Sequence, residues 1–262
     1  MDLNLSGRHA LVCGASEGIG RAAATELALL GADITVLARR GDVLEQVVAE
    51  LPRASGGQRH RWLQADIADH ARLQSQLSAL VADQPVAILV NNTGGPPGGR
   101  AIDATADAYL DAFQRHLLAN QLLATAVLPG MRAARWGRIV NVISTSVREP
   151  IANLGVSNTI RGAVASWAKT LSRELATDGI TVNNVLPGYT RTQRLAQILR
   201  DRAAASGKDE QTVADSMLAT VPARRFAEAG EIAAAIAFLA SPAAAYINGV
   251  SLAVDGGRMQ SI

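Results

Sequence analysis

His9-Ala10-Leu11-Val12-Cys13-Gly14-Ala15-Ser16-Glu17-Gly18-Ile19-Gly20-Arg21-Ala22-Ala23-Ala24 is the stretch that decides the fold. A short, mostly apolar run stops at a glycine, and an alanine-rich segment of helical spacing starts at Gly18. This is the order strand, tight turn, helix. Glycines at 14, 18 and 20 let the backbone turn sharply and approach a bulky anion. The charge of that anion then rests on the free amides and positive dipole end of the helix. A pyrophosphate is the group that fits, with Gly14, Ser16, Glu17, Gly18, Ile19 and Gly20 as its cradle. The spacing is GxxxGxG and not GxGxxG, and an isolated glycine loop also reads as an ordinary turn. Its place at the first strand–helix junction is what favours a nucleotide.

Outward from that stretch the alternation repeats. Strand-like runs at 34–38, 61–65, 86–91, 138–143 and 181–186 are interleaved with helical stretches near 43–51, 70–82, 106–134 and 154–177. Near-continuous apolar strands belong in a parallel sheet covered on both faces and joined by right-handed crossovers. The expectation is an α/β, Rossmann-type, doubly wound fold in one domain over 1–262, with an insertion near 190–220. Ligands of such sheets lie beyond the carboxyl ends of the strands. The Gly/Pro-dense segment 93–99 and the polar, helix-like insertion around 201–215 both follow strands and are placed to border the site.

Composition narrows the function. Of 262 residues 48% are hydrophobic and 18% charged, enough to bury one large core. The balance of 25 Lys+Arg against 23 Asp+Glu is close to neutral and dispersed, so no nucleic-acid-binding stripe is expected. The late apolar stretch 232–247 is broken by Ser241 and Pro242, and no membrane span is expected. Cys13 stands alone, and residues 1–8 lack the pattern of a secretory signal, which points to the cytoplasm.

The glycine loop, Asp66, Asn91-Asn92-Thr93-Gly94, Asn141-Val142-Ile143-Ser144, Pro187-Gly188 and Val254-Asp255-Gly256-Gly257 follow one another in an order that resembles the short-chain dehydrogenase/reductase family. The resemblance is to its 3-oxoacyl-carrier-protein-reductase-like branch and covers essentially the whole chain. It implies that Asp66 and Ile67 contact adenine and that Asn92, Thr93 and Gly94 line the cofactor. Pro187, Gly188, Thr190 and Thr192 are then near the nicotinamide end.

The end of the second strand selects the cofactor, because a carboxylate there holds a ribose 2′-hydroxyl and repels a 2′-phosphate. Ala38 stands at that position, followed by Arg39 and Arg40, whose guanidinium groups suit phosphate oxygens. NADP(H) is expected. Glu17, where NADP-using members often carry a basic residue, weighs against it, and two arginines after a strand also read as solvated surface.

The catalytic set departs from the family, whose members use Asn, Ser, Tyr and Lys. Ser144 is in place, but Ser157 stands where Tyr is expected and Arg161 where Lys is expected, with Gly162-Ala163-Val164 keeping the register. Counting back from Pro129 puts His116 at the Asn position, with Asn120 the nearby substitute. His116 reads either as a packed polar residue or as a proton relay. An aliphatic hydroxyl is a far weaker acid than a phenol, and a guanidinium stays protonated, so Arg161 can bind ribose but cannot pass a proton on. His116, Tyr189 and the pair Arg148 and Glu149 are the candidate donors, while Lys169 reads as surface.

Two readings follow. One is an NADP(H)-dependent oxidoreductase acting on a small carbonyl or alcohol through Ser144, Ser157, Arg161 and His116. The other is a catalytically silent NADP(H)-binding sensor or partner subunit. Segments 93–102 and 195–218 are expected to shape a partly apolar pocket. A homo-oligomer, by resemblance a tetramer, is expected to use the helix at 163–177 and the strand at 250–254.

Overall fold

The apolar runs become the strands of one sheet in a computed structural model, which describes residues 1–54 and 56–261. They are β1 (His9–Cys13), β2 (Asp33–Ala38), β3 (His60–Gln64), β4 (Ile88–Asn92), β5 (Gly137–Val142), β6 (Ile180–Pro187) and β7 (Ser251–Val254). All neighbours pair in parallel, in the order β3-β2-β1-β4-β5-β6-β7. The order reverses between β1 and β4, and the crevice at such a switch point is where open α/β sheets bind ligands.

The helices are α1 (Gly18–Leu29), α2 (Gly41–Glu50), α3 (His70–Asp83), α4 (Ala106–Phe113), α5 (Ala119–Ala134), α6 (Gly155–Glu174), α7 (Gln193–Ser206), α8 (Glu210–Leu218) and α9 (Ala229–Ala240). Alternate residues of each strand face opposite layers. Ala10 and Val12 of β1 pack with Leu27, Leu44 and Ile236 under α1, α2 and α9. Leu11 and Cys13 pack with Leu73, Leu77, Leu123 and Met131 under α3 and α5. Each fully buried leucine contributes roughly 1.5–3 kcal/mol of transfer free energy. The doubly wound expectation is therefore what the chain adopts.

Three features differ from the sequence reading. The helix expected at 106–134 is interrupted by a π turn at Gln114–Leu118 between α4 and α5. Such turns carry an extra residue and often sit at functional sites. The apolar stretch at 232–247 contains α9, started by a capping box between Glu228 and Glu231. Its Ala-rich surface is apolar on most sides, which erases the periodic stripe that marks a helix. The helix-like stretch at 201–215 is divided between the end of α7 and most of α8, inside the 190–220 insertion, with left-handed Gly207 between them.

A row of polar side chains crosses the sheet interior. In register, Asn91 donates to Asn141 Oδ1 (2.8 Å), Asn141 to Asn184 Oδ1 (3.0 Å), and Asn184 to Ser251 Oγ (3.1 Å). The row ties β4, β5, β6 and β7 at one level, just below the strand ends that carry the cleft.

Candidate active site

The glycine loop is shaped by close approach. Gly14 has φ +60, and a Cβ there would lie 2.4 Å from the Asn92 carbonyl oxygen. A Cβ on Gly20 would lie 2.3 Å from the Gly14 carbonyl oxygen, so Gly20 sits behind the loop and lets α1 pack against it. Asn92 Nδ2 donates to the carbonyls of Cys13 (3.4 Å) and Gly14 (3.3 Å), fixing the loop to the end of β4. Glu17 occupies the N-cap of α1 but makes no capping bond, and the first turn carries no acidic residue. The opening amides are thus left to an anion. This open helix end beneath a glycine turn fits the pyrophosphate of a dinucleotide.

The cleft above it encloses about 1090 Å³ and runs from Arg39 and Arg40 to the ends of β5 and α6. Every expected cofactor-binding residue except Gly20 lines it, and so do Ser144, Ser157, Arg161 and His116. Asn120, Arg148 and Glu149 do not line it. Arg148 donates to the Ser251 carbonyl, and Glu149 accepts the amides of Gln260 and Ser261. Those two side chains hold the C-terminal segment. Lys169 is exposed and donates to the Gly249 carbonyl.

At the β2 end, Arg40 Nη2 lies 2.8 Å from Glu17 Oε2 and is partly neutralised by it. Arg39 is exposed, and the ion pairs of the described residues leave its guanidinium out. Of the expected pair, Arg39 is the free cation. Asp66 accepts the amide of Ala68 (2.9 Å) and faces Arg115 Nη1 at 3.5 Å.

The other end is built by β5, α6 and the π turn. Ser144 follows β5 in an extended conformation, and its oxygen accepts the Ser146 amide at 3.0 Å. The hydroxyl proton is left to be donated into the cleft. Ser157 and Arg161 lie one turn apart on α6. Arg161 Nη1 donates to the carbonyls of Val142 (3.2 Å) and Ile143 (2.9 Å). Burial, with Arg194 nearby adding repulsion, lowers its guanidinium to about 10. It remains charged at neutral pH.

His116 is buried in the π turn, with Nδ1 2.7 Å from Thr93 Oγ1. Burial, followed by the charges of Arg161 and Arg115, pushes its pKa down to about 4. The imidazole is therefore neutral at pH 7. Tyr189 also lines the cleft, edge-on to Phe226 with centroids 6.2 Å apart and under the guanidinium of Arg258.

Sequence reasoning missed Arg194 and Arg115, both of which line the cleft, while Gly95 falls in the 93–102 segment expected to shape it. For Arg194 a signal existed. A cation in the first turn of a helix opposes the dipole there and calls for another reason. Arg115 gave no such signal, since only the π turn shows which way its neighbours face.

The family model described as Enoyl-(Acyl carrier protein) reductase matches residues 14–258. The 3-oxoacyl-[acyl-carrier-protein] reductase of Vibrio cholerae is 35% identical over 258 residues, covering 97% of this chain and 98% of that protein. The L-sorbose reductase of Gluconobacter frateurii, solved with NADPH and L-sorbose, superposes with a TM-score of 0.92 at 29% identity over 100% of both chains. An actinorhodin polyketide ketoreductase variant solved with NADPH superposes with a TM-score of 0.90 at 30% identity, covering 97% of this chain and 98% of that one. With its sheet order, glycine loop and cleft, the chain belongs to the short-chain dehydrogenase/reductase family, in its 3-oxoacyl-carrier-protein-reductase-like branch.

Proposed function

We propose that this chain is an NADP(H)-dependent oxidoreductase that interconverts a small carbonyl compound and its alcohol. One observation carries the reading. A single cleft joins an open helix N-terminus, the free cation Arg39 and the hydroxyl of Ser144. The relatives solved with NADPH support the choice of cofactor.

The nicotinamide supplies or accepts the hydride when bound. The glycine loop and the first turn of α1 would hold the pyrophosphate, Arg39 the 2′-phosphate, and Asp66 and Ile67 the adenine. Thr190 and Thr192, which line the cleft, would lie near the nicotinamide end. Ser144, its oxygen fixed by the Ser146 amide, donates a hydrogen bond to the carbonyl oxygen on which negative charge develops. Arg161 would orient ribose hydroxyls with part of the N–H groups that the Val142 and Ile143 carbonyls leave free. Ser157 takes the place of the usual phenol and is too weak an acid to replace it alone. His116, neutral and bonded to Thr93, serves as a relay that gives one proton as it takes another, not as a stored acid.

Substrate enters beneath residues 93–97 and the start of α7, which gives the 190–220 insertion a substrate-facing part. The silent-binder reading rests on Ser157 and Arg161 alone. The test is calorimetric binding of NADPH followed by a carbonyl and alcohol turnover screen on the wild type and on Ser144→Ala. Binding with no turnover of any substrate refutes the enzyme. For assembly, β7 is a sheet edge with Val250 and Leu252 partly exposed, which supports a homo-oligomer, a tetramer by family resemblance. A monomeric mass by light scattering refutes it. No helix of the described residues is long and apolar enough to cross a membrane. The single cysteine, Cys13, is buried and has no second cysteine to pair with, as is common in proteins of the reducing cytoplasm.

A further inference from the structure

The charges that line the cleft do not cancel evenly along its length. Arg40 is matched by Glu17, and Arg115 by Asp111 at 2.8 Å and Asp66 at 3.5 Å. Three cleft guanidinium groups take part in no ion pair among the described residues: Arg39, Arg161 and Arg194. Arg39 lies at the β2 end. The other two converge at the opposite end. A methyl group placed on Gly95 would sit 3.3 Å from Arg161 Nη2 and 4.0 Å from both Arg194 Nη2 and Ser157 Oγ.

Neither guanidinium is spent on the protein. Arg161 uses Nη1 on the β5 carbonyls, and Arg194 uses one N–H of Nη2 on the Pro96 carbonyl at 3.0 Å. A guanidinium has five N–H donors, so both retain several. The anionic groups of a dinucleotide have other partners, the pyrophosphate at the α1 terminus and the 2′-phosphate at Arg39. Their mutual repulsion, softened by solvent at exposed Arg194, is relieved when a ligand supplies an anion between them.

We infer that the substrate carries an anionic group, a carboxylate or a phosphate, bound jointly by Arg161 and Arg194 beside Gly95. The inference rests on the oxidoreductase reading above. It gives a physical role to the paired departures from the family. Ser157 in place of a phenol leaves room at this point, and Arg161 in place of a lysine offers planar, two-pronged recognition of an oxyanion. Ile143, Leu154, Leu195 and Ile198 line the same part of the cleft, so the body of the substrate is apolar or small.

The test uses the NADP+-loaded protein and calorimetry with two matched pairs. These are levulinate against methyl levulinate, and dihydroxyacetone phosphate against dihydroxyacetone. The anionic member of at least one pair is expected to bind about tenfold or more tightly than its neutral partner. The pair that shows the preference identifies carboxylate or phosphate as the source. Arg194→Gln should remove that preference, Arg194→Lys should keep part of it, and both should bind NADPH like the wild type. No tenfold preference in either pair overturns the inference while leaving the oxidoreductase reading intact. So does an Arg194→Gln protein whose NADPH affinity falls tenfold, since Arg194 would then serve a cofactor phosphate. A wild type that binds no NADPH overturns the oxidoreductase reading, and the inference with it.

Discussion

Arg39 and Glu17 offer a quantitative test of the cofactor seat. The expected perturbation is Arg39→Gln, which removes the exposed, unpaired guanidinium beside the cleft. A charge-assisted hydrogen bond is worth about 1.5–3 kcal/mol, and solvent around an exposed side chain keeps this one at the low end. About 1.4 kcal/mol is a tenfold loss of NADPH affinity, with NADH affinity unchanged. Glu17→Gln should act in the opposite sense. Its carboxylate holds Arg40 at 2.8 Å, in a pair whose side chains are 55% and 42% exposed. Surface pairs of this kind are worth no more than about 1 kcal/mol, so they yield readily to a competing phosphate. Neutralising Glu17 removes a repulsive charge and frees Arg40. The gain should be about 0.5–1 kcal/mol, or roughly two- to fivefold tighter NADPH. In the double variant Arg40 should recover part of what Arg39→Gln loses. Titration calorimetry of both cofactors at low and high salt reads all of these values. Equal wild-type affinity for NADPH and NADH, or an Arg39→Gln protein that loses both cofactors alike, would refute the reasoning.

Ser157→Tyr with Arg161→Lys should raise turnover of a generic activated ketone by about 10²–10⁴, the usual worth of general acid catalysis, while neither single change suffices. Steady-state kinetics decide it, and a fall in native activity on the double change would mean a site rebuilt for other chemistry. Asn141→Ala should cost about 2–5 kcal/mol in urea unfolding, since it strands the Asn91 amide and the Asn184 carbonyl oxygen inside the sheet; a loss below about 1 kcal/mol would count against the ladder. Burial holds His9 and His116 at about 4 against an ordinary 6.5. Between those values the unfolded chain binds more protons, so the stability these residues confer is complete above pH 6.5 and is lost as pH falls toward 4. The slope should approach about 1.4 kcal/mol per pH unit for each histidine, and His116→Asn should remove its share.

The parts of this protein that were legible in the sequence are those set by periodicity and backbone geometry. The strand beginning at His9, the glycine turn and the helix from Gly18 follow from apolar runs and from the need for positive φ at Gly14 and Gly18. Residues carried by strand ends, such as Ser144, Asn92 and Asp66, were found because the sheet fixes where strand ends go. What escaped depended on an irregularity. The π turn at Gln114–Leu118 is one, since no residue pattern announces an extra residue in a turn; His116, reached by counting back from Pro129, does line the cleft, while its alternative Asn120 is buried outside it. Arg40 looked equivalent to Arg39 in sequence, and only the approach of Glu17 separates them. The polar row from Asn91 was half visible, since Asn91 and Asn141 were noted. Asn184 and Ser251 join it only through strand register.

The two halves of the site should respond differently to substitution because they rest on different physics. The pyrophosphate part of the cofactor seat is made of backbone: a turn, an open helix end and amides. It therefore survives exchanges of side chains around it. Proton transfer depends on a side chain whose pKa lies near the working pH. At the reacting end the perturbed groups bracket neutrality, His116 at about 4 and Arg161 at about 10. Neither stores a transferable proton at pH 7, and the remaining groups there include the hydroxyls of Ser144, Ser157 and Thr93 and the phenol of Tyr189. On the proposed reading, a proton would reach the reacting oxygen through these hydroxyl groups. The rate must then come chiefly from positioning and from fixed positive charge near the developing oxyanion. Both are strongest for a substrate held at two points, by Ser144 at its carbonyl and by Arg161 with Arg194 at a second, charged group. A neutral monofunctional ketone uses only the first of these and should be the poorest substrate of the cleft.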